Sequence, residues 1–369
     1  MTIFNSYATK LYMNPETTHQ TIQAAPEHTQ VVNFAELTDA ALQALDARSR
    51  DIITRRLGIG KEDKETLESI GKEYGITRER VRQIEANAKK ELTSMRDLFQ
   101  SIETLLVAIF TEHGGLMAEK HVVDEASKRV GSHISSHVIH FYLTVIPAFS
   151  LHQPNSLFET HWKREEAVHG KEEQIVLAAM EILKEKSQPM QLDALIAEIS
   201  AKLNGNVQDA YIHAALQASK HIGKTAFGDW GLIGWAETSP RGVGDKAFAV
   251  LRRKGSPAHF RDITTMINEA AFDQKKANPQ TVHNELIKDG RFVLVGRGLY
   301  GLKEWGYIAG TVADVLESIL KHTAKPMKKQ ELIAEVLKQR MVKKNTILLS
   351  LQNTSRFERA GKDLYTLRA

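Results

Sequence analysis

Residues 45–92 read LDARSRDIITRRLGIGKEDKETLESIGKEYGITRERVRQIEANAKKEL, and the reading of the whole chain starts here. The spacing predicts a short helix over Thr66–Tyr74, with Leu67 and Ile70 inward and Gly75 as its stop. Ile76 bridges a tight turn, and Thr77 is placed to cap the next helix by accepting one of its orphan N–H groups. In that helix Val81, Ile84 and Ala88 fall at i, i+3 and i+7, a stripe suited to burial. The opposite face carries Arg78, Glu79, Arg82 and Gln83. Two helices joined this way form a helix–turn–helix, whose second helix enters the DNA major groove by its N-terminal turns. Arginine can hold guanine by two bonds, glutamate accepts from cytosine N4, and glutamine pairs with adenine. Arg80 and Arg82, with Lys89 and Lys90 further on, can supply charge for phosphates, which set affinity more than sequence choice. The competing reading of the same pattern is a solvated helix laced with charge.

Beyond residue 96 the chain repeats itself. Segments beginning EQIVLAAMEILKEKSQPMQLDALIAEI, DKAFAVLRRKGSPAHFRDITTMINEA and TVADVLESILKHTAKPMKKQELIAEVL superimpose with almost no gaps. Each is an amphipathic helix, a break ending in Pro189, Pro257 or Pro326, and a second amphipathic helix. A third helical stretch follows, then a β-prone tail with an aromatic near its end: Trp230, Tyr300 and Tyr365. A fainter copy runs from Ser101 to Phe158, with Gly114–Gly115 in place of the proline. Three helices and a two-stranded ribbon are the pattern of a winged helix. The copy after residue 240 shows it best: Pro279 opens its third helix, Gly290 ends it, and Gly296-Arg297-Gly298 turns its hairpin. The expected fold is therefore mainly α, a helix–turn–helix domain followed by tandem winged helices with small β-hairpin wings. The expected division is an N-terminal arm (1–35), the helix–turn–helix (36–96), and winged helices at 97–168, 169–239, 240–308 and 309–369.

Composition narrows the function classes. The 369 residues contain no cysteine, which excludes disulfides, iron–sulfur clusters and thiolate zinc fingers and suits a reducing cytoplasm. The longest apolar run, Leu105–Phe110, is six residues, against roughly 20 for a membrane span. No secretory signal is visible at the N-terminus, and no membrane association is expected. Net charge is only +4, but Lys and Arg exceed Asp and Glu by ten over residues 245–369. A basic end of this kind favours an anionic partner, nucleic acid being the commonest.

Several motifs lead elsewhere when taken alone. Ala218–Thr225 (ASKHIGKT) approximates a phosphate loop, but a helix precedes it and a strand follows, the reverse of what phosphate binding requires. Gly296, Gly298 and Gly301 spell G-x-G-x-x-G inside the expected hairpin, with no helix behind them. His133, His137 and His140 share a helical face and could hold a metal, yet they read more simply as the half-exposed third helix of the first repeat. No nucleophile–base set or paired-carboxylate spacing stands out, so neither catalysis, a cofactor nor a metal is expected.

The strings TLESIGKEYGITRERVRQIEANA and RSRDIITRRLGI closely resemble region 4 of bacterial sigma-70-type factors, which reads the −35 promoter element. That resemblance implies base reading by Arg78, Glu79 and Gln83 and backbone contacts by Thr77, Arg80, Arg82, Lys89 and Lys90. It also implies a polymerase-flap contact near Leu45–Leu57. The third winged helix, on AFAVLRRKGSPAHFRDITTMI and FVLVGRGLYGLKEW, resembles the HARE-type helix–turn–helix family of RNA polymerase delta subunits, restriction enzymes and chromatin proteins. Nothing resembling the sigma region that melts promoters is apparent, so the chain is not expected to open promoters unaided. Two functions stay open: a promoter-type duplex-DNA-binding regulator of transcription, nucleoid-associated in the cytoplasm, or an accessory protein of core RNA polymerase working through protein contacts.

Overall fold

In a computed structural model, which describes residues 32–61, 63–164, 170–205 and 207–368, each of the first four helices starts at a side chain that caps it. The first four helices are α1 (Phe34–Gln43), α2 (Ala47–Leu57), α3 (Leu67–Tyr74) and α4 (Arg78–Ser94). The Asp46 carboxylate accepts from the N–H groups of Arg48 and Ser49, at 3.0 and 3.1 Å. Thr66 and Thr77 accept from Ser69 and Arg80 at 3.1 and 3.2 Å. Helix α3 ends at Gly75, whose φ of +62° is the left-handed cap that glycine adopts without strain. The turn is so tight that a Cβ on Gly71 would lie 2.8 Å from the Ile76 carbonyl oxygen. Ile52, Ile70, Val81 and Ile84 close the small core of this unit, edged by Leu67, Tyr74 and Ile76.

Four winged-helix units follow. The first comprises α5 (Arg96–Glu112), β1 (Leu116–Met117), α6 (Glu119–Val130), α7 (Ser136–Val145), β2 (Phe149–His152) and β3 (His161–Arg164). The second comprises α8 (Glu172–Lys186), α9 (Leu192–Lys202), α10 (Asp209–Ala218), β4 (Ile222–Lys224) and β5 (Trp230–Leu232). The third comprises α11 (Val243–Lys254), β6 (Ala258–His259), α12 (Phe260–Ala270), α13 (Pro279–Lys288), β7 (Phe292–Gly296) and β8 (Leu299–Leu302). The last comprises α14 (Val312–Thr323), β9 (Met327–Lys328), α15 (Lys329–Gln339), α16 (Lys344–Leu351), β10 (Phe357–Gly361) and β11 (Leu364–Leu367).

The expected two-stranded ribbons gain a third strand in three units, with antiparallel orders β1-β3-β2, β6-β8-β7 and β9-β11-β10. In the second unit a single bridge, Met190 to Trp230, does the same work. Each added strand is two residues long, too short to show alternation in a sequence. The repeat's prolines mark where it begins, because a residue without N–H and with fixed φ delivers an extended chain to the sheet edge. Trp230, Tyr300 and Tyr365 are buried in their units' cores, as is Trp162 in the first. The near-phosphate-loop motif is the C-terminus of α10 plus β4, and the G-x-G-x-x-G run is the β7–β8 hairpin. Among the described residues no helix is long and apolar enough to cross a membrane.

One hydrophobic cluster runs across position 96. Phe34, Leu42, Ile53, Leu57, Ala88 and Leu92 of the first four helices are buried together with Phe99, Phe110, Phe141, Tyr142 and Trp162. Tyr142 joins the two parts, its ring edge-on to Phe34 and Phe99 at 5.5 Å each and its hydroxyl 3.0 Å from Thr38 Oγ1. Tyr142 thereby ties α7 to α1, whose other neighbours are α5 and α2. Of the expected N-terminal arm, residues 1–31 lie outside the described residues, and Phe34 and Ala35 already open α1. The first two winged helices also meet: Leu116 and Phe158 lie in the second unit's cluster, and a Cβ on Gly114 would sit 2.5 Å from the Ala210 carbonyl oxygen. Tyr142→Ala is therefore expected to cost about 3–5 kcal/mol, the range for a buried aromatic. Hydrogen exchange should show α1 and α7 losing protection together, whereas loss confined to α5–α7 would mean two independent cores.

Candidate nucleic-acid interface

Helix α4 presents one face to solvent because its other face closes the core through Val81, Ile84, Ala88 and Leu92. Arg78, Glu79, Arg80, Arg82 and Gln83 are all exposed on its first two turns. Four of them are already paired with one another. Arg82 donates to Glu79 at 2.9 and 2.6 Å, and Arg80 donates to Gln83 Oε1 at 3.1 Å. The hydrogen bond from Arg82 holds the Glu79 carboxyl below the usual range. Such exposed i,i+3 pairs are weak because water screens them, so base edges and phosphates can replace them at small cost. Arg78 borders a groove of about 550 Å³ between α3 and α4, with Glu68, Gly71 and Lys72 on its other side. Thr77 Oγ1 is held as acceptor by the Arg80 N–H, which leaves its O–H as a donor.

The two lysines differ. Lys90 is exposed, with no charged partner among the described residues. Lys89 is half-buried and bound at 2.8 Å to Glu85, which also accepts from Arg56 Nε at 2.9 Å. Its ammonium thus belongs to the underside of α4, and the outward face is carried by the other residues.

Below α4, helix α2 is tied to α3 by a buried arginine that the sequence reading passed over. Arg55 donates through Nε and Nη2 to Glu65, at 3.0 and 2.6 Å, and through Nη2 to Glu73 at 2.5 Å. Asp51 lies 3.4 Å away and accepts from the Tyr74 hydroxyl at 2.8 Å. Neighbouring Arg56 reaches both Glu85 and the Glu65 carbonyl. Two adjacent arginines thus tie α2 to the loop before α3, to α3 and to α4. The sequence signal was their position between Ile53 and Leu57, both of which are buried.

In the stretch expected at a polymerase flap, Leu45, Ile52, Ile53, Arg55 and Leu57 are buried, Asp46, Ala47 and Arg48 are exposed, and the others are half-buried. The three histidines have separate surroundings. His133 is exposed, His137 sits over Gly58, and His140 Nδ1 lies 2.6 Å from the Glu119 oxygen that also accepts from Trp162 Nε1 at 3.0 Å.

Comparison with known proteins places this geometry. Residues 41–93 match the family model described as Sigma-70, region 4. Residues 243–305 match the HARE-HTH model, the helix–turn–helix domain named for ASXL proteins and restriction endonucleases among others. The RNA polymerase sigma factor RpoS of Coxiella burnetii is 38% identical over 69 residues, 19% of this chain and 20% of that protein. The RNA polymerase sigma factor SigA of Lactococcus lactis subsp. cremoris is 35% identical over 75 residues, 20% of this chain and 21% of that protein. The SigA of Lactococcus lactis subsp. lactis is likewise 35% identical over 75 residues, 19% of its length. The chain spans about a fifth of the length of the curated relatives it matches.

The arginine lattice sets an acid limit. Hydrogen bonds from Arg55 and then Lys61 hold the Glu65 carboxyl down at about 2, from an ordinary 4.5. Its folded value lies below its unfolded one, so its contribution is complete above about 4.5 and is lost as pH falls through about 2. Glu65→Gln is expected to destabilise the helix–turn–helix at neutral pH and to lose less further stability over that window. Thermal melts followed by circular dichroism between pH 5 and pH 2 check this, and parallel acid limbs in both proteins would count against it.

Proposed function

We propose that this chain is a DNA-binding protein of transcription, not an enzyme, in which α4 reads promoter duplex of the −35 type. The observation that carries the reading is the outward face of α4: Arg78, Glu79 and Gln83 stand exposed on a helix held from beneath by its buried apolar face and by Arg56. Its N-terminal turns match the docking mode of a helix–turn–helix. The likeness of residues 41–93 to sigma region 4 supports the same assignment. In this reading Glu79 and Gln83 give up their bonds from Arg82 and Arg80 and join Arg78 on base edges, while Thr77, Arg80, Arg82 and Lys90 hold phosphates. Lys89 contributes through the field rather than by contact, since Glu85 already binds it.

A second reading, an accessory protein of core RNA polymerase, draws support from the third winged helix. Its α13 and wing expose Ile287 and Leu294, 65% and 50% accessible, which suits a protein partner better than a phosphate backbone. Co-purification with core polymerase after nuclease treatment separates the two.

Arg78→Ala, Glu79→Ala and Gln83→Ala are each expected to reduce discrimination between a −35-like duplex and its base-substituted versions by about 1–3 kcal/mol. Arg80→Ala and Lys90→Ala should instead weaken all duplexes about equally and flatten the salt dependence. Fluorescence anisotropy titrations at several salt concentrations measure both. Unchanged binding in all five variants would leave α4 a solvated surface.

A further inference from the structure

The third helix of a winged helix is its usual reader, and the four units place theirs differently. Helix α7 packs on α2 and α4, and α10 packs on β1, so both are interior. Helix α13 faces outward but carries one exposed charge, Lys288 at its last position: Gln280 is bonded to Asn284 at 3.1 Å, beside Thr281 and Ile287. Its wing is joined to the next unit, the Met341 N–H donating to the Val295 carbonyl at 2.7 Å.

The fourth unit differs in both respects. Residues 311–369 hold twelve Lys and Arg against six Asp and Glu. All those carboxylates except Glu358 are engaged: Asp314 with Arg356, Glu317 with Lys321, Glu331 with the Lys328 N–H, Glu335 with Lys338 and Asp363 with Lys329. Lys343 and Lys344 at the start of α16, and Lys362 at the tip of the β10–β11 wing, are exposed and form no ion pair among the described residues. Between α16 and the wing a cleft of about 470 Å³ is bordered by Gln352, Arg359 and Arg368. Arg359 lies over the Tyr365 ring at 5.7 Å, and Arg368 donates to the Thr354 carbonyl at 2.7 Å. The outer face of α16 is completed by Asn345, Thr346 and Leu349, the last 67% exposed.

We propose that the fourth winged helix is a second duplex-DNA surface, with α16 in a major groove and the β10–β11 wing on flanking phosphates. Cations without carboxylate partners are those that gain by displacing counterions from a phosphate backbone. Asparagine beside an exposed leucine on the same helix face matches an adenine edge next to a thymine methyl. The surface is distinct from α4 and shares with the function proposed above only the class of ligand.

The test uses the full chain and two duplexes of 30 base pairs, one −35-like and one of random sequence. Lys343→Glu/Lys344→Glu/Lys362→Glu is expected to weaken both about tenfold or more and to lower the salt slope by about two. The milder Lys343→Gln/Lys344→Gln/Lys362→Gln should do the same in smaller measure and guards against a folding defect in the first variant. Lys120→Glu/Lys184→Glu, on exposed positions of the first two winged helices, controls for bulk charge and should leave the slope unchanged. Wild-type slopes in both fourth-unit variants would overturn the proposal, as would equal losses in the control or equal competition by single-stranded DNA of the same length. Failure of the α4 reading has another signature, retained discrimination in Arg78→Ala and Gln83→Ala, so the two outcomes are separable.

Discussion

A guanidinium removed from water must be surrounded by acceptors, and Arg55 meets that constraint with carboxylates from three places in the chain. The core above it holds four buried side chains of its own, while Ile53, Leu57, Ala88 and Leu92 anchor α2 and α4 in the larger cluster. Charge-assisted bonds add defined directions to that packing. The Arg56–Glu85–Lys89 chain extends the lattice to the underside of α4. The reading face of α4 thus stands on a base that is apolar and ionic together. Its outward charges pair only with each other, and weakly.

The same economy of surfaces runs through the winged helices. A third helix offers one exposed face, and that face can meet either a ligand or a neighbouring unit. In the first unit it meets α2 and α4, and in the second it meets β1 of the first. The N-terminal half of the chain is thereby one continuous body around the helix–turn–helix, with the outward third helices kept for the C-terminal half. The excess of Lys and Arg over residues 245–369 falls on the outward side of this division.

Much of this was legible in the sequence. Thr66, Thr77 and Gly75 announced the helix–turn–helix through cap chemistry, and Val81, Ile84 and Ala88 through period. Prolines 68 and 69 residues apart announced the repeat. What could not be read was of two kinds. The third strands are two residues long, below the length at which alternation becomes a pattern. The pairings of Arg55 with Glu73 and of Tyr142 with Thr38 join positions 18 and 104 residues apart, and a single sequence gives no sign of such partners. Lys89 shows the cost: on a helical wheel it is one more basic residue, and only Glu85 below it makes it internal.

At Gly114 the first two winged helices touch main chain to main chain, with the positions of the Ala210 carbonyl and the Tyr211 Cα leaving room for hydrogen alone. An interface built from side chains drifts as those side chains are exchanged over evolutionary time, because each new shape reseats its neighbours. One built on backbone contact has no adjustable filler. The angle between these two units is therefore written partly in peptide geometry, with Leu116 and Phe158 seated in the second core beside it.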